Sequence, residues 1–154
     1  MKLNACIVLA AVLAVSACGK SSPTAPTLPN GSMSAKIEGS SWAASEAIVA
    51  SFQSGVLSIS GQDETRNVSF ALFATAPGTY SASSGLTGLN LSVVELSTGK
   101  TWQAFFQSGT GTVTVTTLSA TGASGTFTFF APATTTGGNT GNRNVTDGKF
   151  DVTF

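Results

Sequence analysis

The sequence has no histidine, two cysteines and few charges. Each scarcity closes off a class of chemistry. Without histidine there is no Ser-His or Cys-His nucleophile pair and no imidazole to ligate a metal. Two cysteines cannot fill a four-ligand zinc site. Charged residues make up 9% of the chain, against roughly 25% in ordinary soluble domains. Seven basic and seven acidic side chains cancel, so the chain lacks the basic excess that phosphate binding needs, and no nucleic-acid partner is expected. What fills the space is small and hydroxylic: 21 serines, 22 threonines and 17 glycines among 154 residues.

The first residues have the layout of a secretory signal. Lys2 is a short basic start, Ile7 to Val15 is an unbroken apolar run, and small residues follow at Ser16 and Ala17. The run is shorter than the about 20 apolar residues of a membrane span. Val15-Ser16-Ala17-Cys18 resembles the lipobox of bacterial lipoproteins. That resemblance implies cleavage before Cys18, a diacylglycerol on its thiol, and usually an acyl group on the new amine. Residues 1–17 are then removed, taking Cys6 with them and leaving one capped thiol and no disulfide. The competing interpretation is an ordinary signal peptide followed by an incidental Cys18. Two or three acyl chains anchor stably, at about 0.8 kcal/mol per buried CH₂. Gly19 stands where Asp signals inner-membrane retention in lipoproteins of the enteric type, which points to the outer membrane.

Residues 18–32 carry the lipidated cysteine and a tether. Pro23, Pro26 and Pro29 bias it towards an extended, polyproline-like chain. Its 14 residues after Cys18 reach roughly 40 Å at about 3.1 Å each. From Met33 to Phe154 a single domain is expected, large enough for one core. Period-two alternation marks its strands: Val68, Phe70 and Leu72; Val113 and Val115; Phe127 and Phe129; Phe150, Val152 and Phe154. The residues between them are mostly Ser and Thr, as a sheet with one solvated face requires. Turn signals at Ser54-Gly55, Gln62–Thr65, Pro77-Gly78, Thr98-Gly99, Ser108-Gly109 and Thr121–Ser124 separate the runs. The strings Gly111–Val115 and Gly125–Phe129 read as two arms of one hairpin. The fold class is all-β: about nine antiparallel strands in meander order, forming a β-sandwich or an up-and-down barrel. Residues 131–144 form the longest stretch without pattern.

Met33 to Trp42, Leu57 to Gly61 and the closing Ser124–Phe129 and Val145–Phe154 strings resemble a group of small uncharacterised β-rich bacterial lipoproteins. The resemblance implies fold and location, with no activity attached.

Candidate functional residues are few. Trp42, Trp102 and Tyr80 are the aromatics with the size or polar tip to meet a ligand, a glycan or a partner if exposed; packing in the core is the alternative for the tryptophans. Phe105 and Phe106 are adjacent, so on a strand they point to opposite faces. Asp147 and Asp151 are close in sequence, but Asp151 alternates outward from Phe150 and Val152, which speaks against a facing carboxylate pair. Asn139, Asn142, Asn144 and Asp147 offer oxygen without an EF-hand spacing, so no metal and no cofactor are assigned. No catalytic residue is assigned and no enzyme is expected. The expected function is a non-catalytic binding or structural accessory domain, held in the cell envelope by lipid on Cys18, with an envelope protein or glycan as partner. The alternative is a small-ligand or glycan-binding module.

Overall fold

The computed structural model describes residues 28–134 and 139–154. The signal segment, Cys18 and the first part of the tether lie outside the described residues. The last part of residues 18–32 belongs to the fold. Leu28 packs against the core and bridges to Gly31, and the Asn30 side chain donates to the Ile48 carbonyl at 2.9 Å.

The described residues form eleven strands, all paired antiparallel in two sheets. One sheet is built from β1 (Gly31–Ile37), β2 (Ser40–Ala43), β6 (Gly78–Ser81), β9 (Thr110–Leu118), β10 (Gly122–Pro132) and β11 (Asn142–Thr153). The other holds β3 (Ala47–Gln53), β4 (Val56–Gln62), β5 (Arg66–Phe73), β7 (Asn90–Glu95) and β8 (Thr101–Ala104). The orders are β2-β1-β11-β10-β9-β6 and β3-β4-β5-β7-β8, so the fold is a sandwich and not a closed barrel. The count exceeds the expected nine because β2 and β6 have four residues each, too few to show a period. The meander also breaks where β6 leaves for the edge of the other sheet.

Local sequence explains the hairpins. Ser54 and Gly55 both have positive φ (51° and 78°), as do Glu38 and Gly39 (51° and 78°). Two such residues make a turn whose twist matches that of the flanking strands. The Gly111–Val115 and Gly125–Phe129 strings are indeed two arms of one hairpin, with Phe127 opposite Val113 and Phe129 opposite Gly111. The inner faces meet in one core. Phe70 from the five-stranded sheet lies 5.7 Å from Phe127 and 5.2 Å from Phe150, ring centre to ring centre. Each fully buried side chain of this size contributes about 1.5–3 kcal/mol. Gly125 makes room for Phe150: a Cβ there would lie 2.0 Å from the Thr114 carbonyl and 2.8 Å from the Phe150 ring.

On the outer faces, hydroxyls pair across strands. Thr79 and Thr114 lie 3.1 Å apart, Thr117 and Ser124 2.7 Å, and on the other sheet Ser69 and Ser92 2.8 Å. The register of β11 slips once against each neighbour, and Asp147, at φ 53°, sits at the slip. Such a bulge bends the strand and re-aims its side chains.

Candidate functional site

Trp102 stands on β8, opposite Val93. The segments flanking the β10–β11 connection fold over it. Ala133 bridges to Trp102, and the Thr101 carbonyl accepts from the Thr134 amide at 3.0 Å and the Asn139 side chain at 2.6 Å. The indole N–H reaches the Thr140 carbonyl at 3.4 Å. Arg143 closes the site. Its guanidinium carbon lies 3.8 Å from the Trp102 ring centre, and Nη2 pairs with Glu95 Oε1 at 2.8 Å. The hydrogen bond from Arg143 holds the Glu95 carboxyl below its usual range, burial opposes it, and the charge of Arg143 adds to the lowering. The result is that Trp102 is 1% exposed.

Trp42, on β2, is 5% exposed and also belongs to the core. Tyr80 is partly exposed, and its hydroxyl donates to the Ala76 carbonyl across its own turn. The three aromatics thus do not converge on a shared surface. Both tryptophans carry a large apolar area that is better buried than wet, and neither offers a free ring face. The adjacent Phe105 and Phe106 follow a different course from the strand pattern. β8 ends at Ala104, and Phe105 turns to Ser108 through a pair of backbone hydrogen bonds of 2.7 and 2.9 Å. Both rings are therefore left partly in water.

An open groove of about 470 Å³ lies on the outer face of the six-stranded sheet. That is within the range of ligand clefts, roughly 300–1,000 Å³. At one end of its lining is Phe130, 43% exposed, with Thr110 opposite on β9 and Asn144 opposite on β11. Ser81, Thr112, Thr128 and Thr146 line it further along the strands. Thr112 and Thr128 hydroxyls lie 3.3 Å apart. Glu38 holds the Asn144 main chain in place, donating its amide to the Asn144 carbonyl at 2.9 Å and accepting from the Asn144 amide with its carboxylate. Among the described residues no titratable side chain lines the groove. The Asp147 carboxylate, beside Thr146 in sequence, is engaged by Lys36 at 2.9 Å.

The family model for DUF6252, a domain of unknown function, matches residues 29–152. The chain belongs to the DUF6252 family. No curated protein and no solved structure matches it. The DUF6252 match takes in Asn30, Gly31 and Ser32, ahead of Met33.

Sequence reasoning missed two features of the DUF6252 chain. Arg143 sits in an Asn- and Gly-rich stretch where nothing marks it as the cover of an indole forty residues earlier. Phe130 draws no notice beside Phe127 and Phe129, although the alternation that turns those two inward already sends it outward. Residues 131–144 are also shorter as a loop than expected, because β10 runs to Pro132 and β11 starts at Asn142. Asn142, Asn144 and Asp147 are strand residues, and Asn139 turns its amide nitrogen to Thr101. Among the described residues no three His, Cys, Asp or Glu side chains come together as a metal site. Asp151 is exposed, as its alternation requires.

Proposed function

We propose that the mature protein is a lipid-anchored cell-envelope domain that works by binding a partner. The outer-membrane placement and the anchor rest on Val15-Ser16-Ala17-Cys18 after an apolar run of the right length, followed by Gly19. The observation that carries the binding function is the groove on the outer sheet face. It offers hydroxyls, an amide and the exposed ring of Phe130 beside the buried Phe129, a lining suited to recognition. General acid-base chemistry draws on groups that can give or take a proton near neutral pH, and the lining is made of neutral side chains.

Fractionation of expressing cells tests the anchor. Wild type is expected in the membrane pellet, resistant to salt and carbonate, and labelled by an alkyne fatty acid. Cys18→Ala is expected to lose the label and leave the membrane fraction. Retention of Cys18→Ala in the pellet without label overturns the anchor. Binding is tested separately with a photocrosslinking residue at Thr112, on the groove, or at Val49, on the opposite sheet. A discrete adduct from position 112 and none from 49 supports the function, and equal patterns from both count against it.

A further inference from the structure

We infer that the groove around Phe130 binds an uncharged, linear glycan laid across strands β9, β10 and β11. The inference rests on the binding function above and specifies its ligand. Charge is the first argument. Threonine, serine, asparagine and phenylalanine supply no counter-ion, so an ionic ligand loses hydration there without a paired charge in return. The charges beside the lining in sequence are already engaged: Asp147 by Lys36, and Arg143 by Glu95; the Glu38 carboxylate accepts from the Asn144 amide.

The second argument is the mixture of surfaces. A sugar ring has an apolar C–H face and a rim of hydroxyls. Phe130 gives a flat ring for the face. Thr110 and Asn144, on either side of it, give polar groups for the rim. Each threonine adds a methyl beside its hydroxyl, so a ligand meets apolar and polar atoms alternately. A hydroxyl is one donor and two acceptors, and the Thr112–Thr128 contact uses only part of that capacity.

The third argument is extent. The threonine face does not stop at the groove. Thr114 and Thr126 are paired partners one row further along β9 and β10, Thr79 is paired with Thr114 on β6, and Lys149 stands beside Thr126 on β11, so the threonine rows continue towards β6 and not along β11. Strands stand about 4.7–4.9 Å apart, so the hydroxyl rows form a regular track. A track of this kind with one aromatic platform suits consecutive units of a chain better than a single enclosed monosaccharide.

The test uses the full-length lipidated protein in detergent. Cellohexaose, maltohexaose, mannohexaose, xylohexaose and chitohexaose are the neutral probes, and hexagalacturonate is the charged one. Binding is followed by titration calorimetry. At least one neutral hexaose is expected to bind. Phe130→Ala is expected to weaken it about tenfold, Thr128→Val by a smaller factor, and Val49→Ala on the opposite sheet by nothing. No binding by any neutral probe, equal affinity in Phe130→Ala, or tighter binding of hexagalacturonate overturns the inference. The same preparations are fractionated with the Cys18→Ala protein. Cys18-dependent membrane retention with no sugar binding removes the glycan and leaves the anchor standing.

Discussion

Trp102 and Phe130 lie close to the same corner, where β8 meets the end of β10 at Ala133, and they have opposite fates. Trp102 faces inward and is sealed by Arg143, Thr140 and Asn139. Phe130 faces outward between two polar neighbours and stays in water. By residue type alone, the indole is the better ligand platform. The fold inverts that ranking. The larger ring gains more from burial, and a cation and a backbone carbonyl satisfy its face and its N–H. The smaller ring sits at a position whose parity points away from the core.

The largest effect is expected from emptying the sealed side. Trp102→Ala should cost about 3–5 kcal/mol in urea-induced unfolding, through lost burial and the cavity left behind. A loss within about 0.5 kcal/mol would mean that the indole is not a core residue. Removing the cover comes next. Arg143→Met should destabilise by about 1–2 kcal/mol, between the values for exposed and for fully buried pairs. It should also raise acrylamide quenching of the tryptophan fluorescence, which is expected to be low in the wild type because both indoles are buried. Unchanged quenching would show that Arg143 is a bystander.

The same pair sets a pH dependence. Glu95 has a folded-state carboxyl below its ordinary value of 4.5, through the Arg143 hydrogen bond first. A lowered carboxyl binds its proton less readily when folded than when unfolded. Its stabilising contribution is therefore complete above that ordinary value and fades as pH falls through the lower folded value. Arg143→Met should flatten this acid-side slope in urea midpoints measured between neutral pH and pH 3, and an identical slope in both proteins would contradict the assignment. The smallest effect is expected on the open side. Phe130→Ala should change stability by no more than about 0.5 kcal/mol. A loss as large as that of Trp102→Ala would make Phe130 a packing residue, and the groove would lose its platform.

Much of the sandwich was legible in the sequence because alternation states which residues share a face. Val113, Phe127, Phe129, Phe150 and Val152 all face inward as their spacing requires. β2 and β6 were not, since a period of two needs more than two repeats and each has four residues. β6 was the hardest: a strand that changes sheet carries no mark in its own residues, only in who its neighbour is. The site was less legible than the fold. Trp42 and Trp102 are named by chemistry, but their burial depends on residues distant in sequence, such as Arg143 for Trp102. Phe105 and Phe106 read as strand residues because the signal for the end of β8 is a turn at Gln107, a non-glycine with positive φ of 69°. No residue preference announces that turn.

The place of β11 has a consequence for when this domain can form. It lies between β1 and β10, so the first strand has its main partner at the far end of the domain. A growing chain can pair β3, β4 and β5 as they emerge, and later β9 with β10. β1 and β2 can pair with each other, but that hairpin has no place in the sheet until β11 has been made. Closure thus depends on a contact of very long sequence separation, which slows folding. A partly synthesised chain stays open, and a chain threaded through a narrow channel before its last strand appears has no finished sandwich to pull apart.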